Sequence, residues 1–197
     1  MSAKPHRAEV AGVRQLLEQL AKEVPVAESM IVSTLPRASL QIAQPAKVSE
    51  GILKPYAKGL HAEDRLTWAA LLRRRPVTGE EAFKDGSFES SRYMTELLAP
   101  NQLRHAVAAP LNSPVLEGFP GALHLYRTAE QGPFTPAQLE KIRGFTEQID
   151  ELSERTRKSR RDKPASPMTS LAPRPPARQY VFDEKLREVT ADPSFEM

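Results

Sequence analysis

Arg104-His-Ala-Val-Ala-Ala-Pro-Leu111, Gly121-Ala-Leu-His-Leu-Tyr-Arg127 and Pro133-Phe-Thr-Pro-Ala-Gln-Leu139 are the segments that decide the fold of this chain. The first two read as strands joined by the turn-rich connector Asn112-Ser-Pro-Val-Leu-Glu-Gly118. Both strands are rich in alanine, and small side chains on a sheet face leave room for a helix or a ligand above them. The third segment is a helix start. Thr135 fits the N-cap, Pro136 the first helical position, and Gln138 completes a Thr-x-x-Gln capping box. Leu139, Ile142, Phe145, Ile149 and Leu152 then form an apolar stripe that persists to about Arg157. Just upstream, Glu89-Ser-Ser-Arg-Tyr-Met-Thr-Glu-Leu-Leu98 reads as a helix that stops near Pro100-Asn101.

Working outward from this block, residues 9–24 place Val10, Val13, Leu16, Leu17, Leu20 and Val24 on one helical face, closed by Pro25. Residues 1–8 carry no such pattern and are expected to be disordered. Ser29-Met-Ile-Val-Ser-Thr-Leu35 suits a strand, Pro36-Arg37 a turn, and residues 38–43 its hairpin partner. A short helix from about Ser49 and another over 62–74 follow. In the latter, Leu66, Trp68, Leu71 and Leu72 are expected to face inward, and a short strand is expected around Val77. Asp85-Gly86 marks a turn.

Beyond the long helix, residues 158–177 are first basic and then proline-rich. Residues 164–177 hold five prolines and no glycine, which describes a semi-extended linker. Residues 178–197 read as a β-hairpin-like tail, with a strand at 178–183, a turn at Glu184-Lys185 and a returning strand at 186–190. A lone hairpin is not stable alone. It either docks on the main domain or opens a second, truncated domain, and its strand–Asp–turn–strand pattern resembles the start of a PAS-like module.

The chain of 197 residues is 40% hydrophobic and 27% charged, ordinary for a globular protein with one full-sized domain. No run of 18 apolar residues appears and the N-terminus lacks an apolar signal core, so no membrane association is expected and the cytoplasm is the expected compartment. The absence of cysteine excludes a disulfide framework, a thiolate metal site and a cysteine nucleophile.

The order helix, hairpin, helices, strand, helix, two strands, long helix resembles a GAF-type sensory domain over roughly residues 10–157. The local wording is similar to the sensor regions of bacterial LuxR-type, helix-turn-helix transcriptional regulators. The positions that carry it are Ser91-Arg92-Tyr93, Leu98-Ala99-Pro100, the two strands, and the Pro133–Leu139 helix start, with Tyr56, His61, Asp64 and Trp68 upstream. The resemblance implies an α+β fold (GAF/PAS-type), with a central antiparallel sheet flanked by helices and a long C-terminal amphipathic helix. The domain would span residues 9–157. No helix-turn-helix follows, so the chain is either the sensory part of a longer regulator or a relative whose DNA-binding output sits on a partner protein.

The same resemblance places a small-molecule ligand between the sheet and the connecting helices. Trp68, Phe83, Tyr93, Met94, His105, Val107, Leu123, His124 and Tyr126 are the candidates to line that place, with His105 and His124 as polar handles. The same list also describes an ordinary core with hydrogen-bonded histidines. No metal-ligand spacing, Gly-x-Ser-x-Gly elbow or phosphate-binding glycine loop is present, so no catalytic residue, metal or cofactor is expected. Residues 155–163 hold six Lys/Arg against one Asp. Arg155, Arg157, Lys158, Arg160 and Arg161 are the candidates for phosphate or nucleic-acid contact, against the simpler reading of a solvated helix end. The functional expectation is a non-catalytic sensory domain that relays through its last helix as a homodimer. The rival is a dimerisation adaptor with a self-filled core.

Overall fold

The computed structural model describes residues 4–35, 39–83, 86–113, 120–161, 180–182 and 188–190. The chain divides into two units, Met1–Asp162 and Lys163–Met197. The expected turn at Pro36-Arg37, Asp85 of the turn at Asp85-Gly86, residues 114–118 of the connector, residues 162–177 of the linker and the turn at Glu184-Lys185 lie outside the described residues. In the second unit, Tyr180–Phe182 and Glu188–Thr190 pair as antiparallel strands, Tyr180 opposite Thr190.

The first unit opens with α1 (Lys4–Glu23), then β1 (Glu28–Leu35), β2 (Ser39–Lys47), α2 (Glu50–Ala57) and α3 (Arg65–Arg73). The two-residue strand β3 (Val77–Thr78) runs into the single turn α4 (Gly79–Ala82). Then come a π-helical turn at Tyr93–Leu98, β4 (Leu103–Leu111), β5 (Gly121–Thr128) and α5 (Pro136–Arg161). The five strands form one antiparallel sheet in the order β2-β1-β5-β4-β3, which puts β5 at its centre.

Side-chain alternation along the strands divides the core in two. Met30, Val32, Ala106, Ala108, Ala122 and Tyr126 face α2, α3 and the π-helical turn. Ile31, Val107, Ala109, Leu123 and Leu125 face α1 and α5. The room above the alanines is therefore used on both sides. On the first face the largest fully buried rings are Tyr56, Tyr93, Phe88 and Tyr126, each no more than 2% exposed.

Helix α1 starts at Lys4, ahead of the expected residue 9, because the first turn of a helix needs no inward face and tolerates Pro5. Its buried stripe is Val13, Leu17 and Leu20, continued by Val24 just past the helix end. The start of α5 is the reciprocal box read from the sequence: Gln138 N–H donates to Thr135 Oγ1 at 3.3 Å, and Thr135 N–H to Gln138 Oε1 at 3.0 Å. Helix α5 runs to Arg161, past Arg157.

Two expected helices are corrected. The segment read as one helix over 89–98 is a turn followed by the π-helical stretch. Ser91 ends the turn by donating to Phe88 O (2.6 Å) and accepting from Met94 N–H (3.1 Å). The helix read over 62–74 begins at Arg65, after a 3-10 turn, and buries Leu66, Thr67 and Ala70. Leu72, expected inside, is 83% exposed, and Trp68 and Leu71 are half-buried. The roll is set by Thr67, whose hydroxyl is held in the core by Asp64 and His124.

Pro55 sits inside α2 and has no N–H for the Gly51 carbonyl four residues back. Asn101 Nδ2 supplies that missing donor at 3.1 Å, and also donates to Leu97 O at 2.7 Å, closing the π-helical turn. A Cβ at Gly51 would lie 2.0 Å from Asn101 Oδ1, so the glycine makes room for the amide. Gly51→Ala should therefore cost about 1 kcal/mol or more in the wild-type background, because Asn101 must swing away from both carbonyls. In an Asn101→Ala background the same change should be neutral or stabilise by up to about 1 kcal/mol, from helix propensity alone. Urea denaturation of the four proteins checks this. Equal effects in the two backgrounds would contradict it.

Candidate functional site: a buried hydroxyl, imidazole and carboxylate cluster

Six polar side chains meet between the sheet and the connecting helices. Asp64 caps α3, accepting from Thr67 N–H through Oδ1 at 3.0 Å. Its Oδ2 accepts from Thr67 Oγ1 at 2.7 Å and from Tyr56 OH at 2.5 Å. Thr67 Oγ1 lies 2.7 Å from His124 Nε2. His124 Nδ1 lies 3.1 Å from Tyr126 OH and 3.3 Å from Tyr93 OH, and the two phenols are 2.9 Å apart. None of the six is more than 1% exposed.

The protons of this cluster can be assigned by elimination. A threonine hydroxyl has one proton, and the Asp64 carboxylate takes it. Thr67 Oγ1 must then accept from His124, so the imidazole carries its proton on Nε2 and offers Nδ1 as an acceptor. One tyrosine fills Nδ1, and the other donates to the first. Every donor therefore points along one line, from the phenols through the imidazole and the threonine to the carboxylate, with Tyr56 donating from the other side.

The electrostatics agree with that assignment. Burial lowers the His124 pKa, outweighing the upward pull of Asp64, so the neutral ring that the geometry requires is also the favoured one. Tyr56, Tyr93 and Tyr126 are pushed well above 10, first by burial and then by nearby negative charge, and remain phenols. A fully paired polar cluster of this kind fixes one arrangement of the core, since each broken bond strands a buried group.

The structure brings together three of the expected lining residues, Tyr93, His124 and Tyr126. Met94 (2% exposed) and Phe83 (3%) belong to the same half of the core, Phe83 packed at 5.4 Å on Phe88, and Trp68 is half-buried beside it. Val107 and Leu123 are on the opposite face with α1 and α5, because the strand period of two sends them there. His105 does not share a site with His124. It neighbours Ala106 on β4 and so takes the other face, 3.8 Å from Glu80.

Tyr56, Asp64 and Thr67 were not among the candidates. Asp64 is a helix-capping residue type directly ahead of α3, which is the signal that could have found it; Tyr56 and Thr67 carry none. Of the basic set, Arg155 pairs with Glu151 at 3.1 Å, and Arg157 and Lys158 are exposed on the last turns of α5. The side chains of Arg160 and Arg161 lie outside the described residues. Among the described residues no group of three or more His, Asp or Glu is arranged to hold a metal ion.

No protein-family model and no curated protein sequence matches the chain. Solved structures do. The LBD domain of VqsR from Pseudomonas aeruginosa superposes with a TM-score of 0.55 at 13% identity, over 79% of this chain and 95% of that one. The GAF-B domain of DevS from Mycobacterium smegmatis gives 0.53 at 17% identity, covering 78% and 98%. The blue-light absorbing form of the PixJ GAF domain from Thermosynechococcus elongatus gives 0.55 at 12%, covering 82% and 94%. At such identities the likeness speaks for the fold alone, and the fold is GAF-like: an antiparallel sheet between connecting helices and two terminal helices.

The cluster makes stability depend on pH. Unfolded, the His124 imidazole protonates below about 6.5, whereas the fold holds it neutral. The unfolded state then binds the extra proton, so stability falls as pH drops below about 6.5, by up to about 1.4 kcal/mol per unit. At the other end, the raised tyrosines cost stability as pH rises past about 10. Urea denaturation between about pH 5 and pH 7 should show a steeper loss for the wild type than for His124→Gln. That variant should also be about 1–3 kcal/mol less stable at pH 7, since it strands part of the cluster. Parallel slopes would contradict the assignment.

Proposed function

We propose that this chain is a non-catalytic regulatory domain of the sensory type, and that it acts by protein contact through its terminal helices. The observation that carries this reading is the closure of the interior. All six polar groups of the cluster are satisfied by one another, and rings of the chain's own occupy the place between sheet and connecting helices. The imidazole and its hydroxyl neighbours have no exposure to a substrate, which is why the reading is non-catalytic.

Contact is then left to the outer helices. Helices α1 and α5 run antiparallel, with Glu23 3.4 Å from Lys141 near one end and Gly12 against Leu152 further along. Between them lies an open cleft of ≈ 420 Å³ lined by Gly12, Gln15, Leu16, Gln148, Glu151 and Leu152. The half-buried Leu16 and Leu152 at its centre, ringed by exposed polar groups, suit a four-helix contact with a second copy.

Strand β5 supplies the relay. His124 and Tyr126 hold the cluster on one face while Leu123 and Leu125 support the terminal helices on the other. At its end Arg127 donates to Pro25 O (2.8 Å) before β1 and to Pro133 O and Gln138 Oε1 (3.2 Å each) at the root of α5. A shift in the cluster thus moves the seats of both helices, and a DNA-binding output in bacterial transcription regulation is the kind of partner such a movement would serve. A small-molecule reading has one observation in its favour. Tyr93 enters the cluster from a π-helical turn, a widened winding often found at binding sites, which would open to admit a ligand.

Sedimentation and native mass spectrometry of the purified chain separate the two. A ligand-free dimer is expected. Gln15→Glu with Gln148→Glu, both exposed, should raise its dissociation constant about tenfold or more by like-charge repulsion, with the monomer fold unchanged. A monomer carrying a bound small molecule would contradict the contact reading and favour the ligand one.

A further inference from the structure

The outer face of α3 carries features that neither the cluster nor the terminal helices use. Leu72 is 83% exposed, the one large hydrophobic residue so exposed among the described residues. Trp68, one turn earlier on the same helix, is only half-buried, so the two form an apolar stripe one turn long. Residues 65–75 hold four arginines and no acidic residue.

The arginines are not equivalent. Arg73 and Arg75 both close on Glu81, Arg73 at 2.8 Å. Arg74, between them, is exposed and makes no hydrogen bond or ion pair among the described residues. It also occupies the left-handed region, at φ 53°, where a helix ordinarily ends in glycine. The roll set by Thr67 turns position 72 outward, but it calls neither for a leucine there nor for an arginine where glycine fits better.

The geometry points to a docking surface on α3 for an acidic segment of a partner protein that carries an apolar anchor. The anchor covers Leu72 against Trp68, and carboxylates flanking it pair with Arg74 and with the outer edge of Arg75. Charge complementarity selects this partner, because a basic or neutral segment would leave Arg74 buried beneath it unpaired. Thr67, on the inner side of the same helix, bonds the cluster, so occupancy of the outer face bears on His124. The surface stands whether or not the terminal helices form a dimer.

A random peptide library displayed on phage and panned against the full chain tests this. Enriched peptides are expected to carry a large apolar residue flanked by Asp or Glu. Their affinity, read by fluorescence anisotropy, should fall about tenfold or more in Leu72→Ser and in Arg74→Glu, and should weaken with added salt. Both residues are exposed, so these variants keep the fold, which circular dichroism verifies, and Arg74→Gly should lose affinity while melting no lower than the wild type. The proposal is overturned if no peptide is enriched, if the enriched peptides are neutral or basic, or if they bind both variants undiminished. Leu72-dependent sedimentation of the chain with phosphatidylglycerol-containing vesicles, without such peptides, would assign the patch to a membrane surface instead.

Discussion

The single proton of the Thr67 hydroxyl constrains the rest of this domain. Because Asp64 takes it, His124 must present Nε2–H, and because His124 does so, a tyrosine must fill Nδ1. From that one assignment follow the roll of α3, the exposure of Leu72, and the inward pose of the rings that close the interior. Asp64 serves two ends at once. It caps α3 through Oδ1 and anchors the cluster through Oδ2, so the helix start and the polar core cannot be separated.

The central strand converts this local chemistry into an architecture. Its alternate residues belong to two halves of the core that share no side chain, and Arg127 ties its end to the roots of both terminal helices. The Arg127 guanidinium also lies 4.1 Å from the Phe134 ring centre, so the charge is partly compensated where it is buried. At the far end of β4, Asp150 of α5 accepts from the backbone N–H groups of Asn112 and Ser113 at 3.0 Å each. The long helix is thereby fixed to the sheet at two distant points.

Much of the fold was legible because it is written in local patterns. Residues 104–111 and 121–127 announce strands by their boundaries, and the Thr135 and Gln138 box marks the start of α5 within a residue. The site was less legible. Period-two reasoning on β5 joins His124 to Tyr126 and parts them from Leu123, and applied to β4 it parts His105 from Ala106. Grouping by chemistry alone puts His105, Leu123, His124 and Tyr126 in one pocket. Trp68 drew attention as an aromatic, while Thr67, a small polar residue that helical periodicity does not favour, proved to be the one in the core. A partner 57 residues away decided that roll. The π-helical winding at Tyr93–Leu98 has no counterpart in a pattern of 3.6, and the donor that repairs Pro55 comes from Asn101, far along the chain.

The central claim is a neutral imidazole locked in one tautomer by hydroxyl partners on both sides. Long-range nitrogen–proton NMR of the His124 ring, followed through a pH titration, tests it directly. The account predicts a proton on Nε2, shielded from solvent exchange, and a ring that stays neutral below the ordinary histidine midpoint of about 6.5. A proton found on Nδ1, or an imidazole that titrates at or above that midpoint, would contradict it.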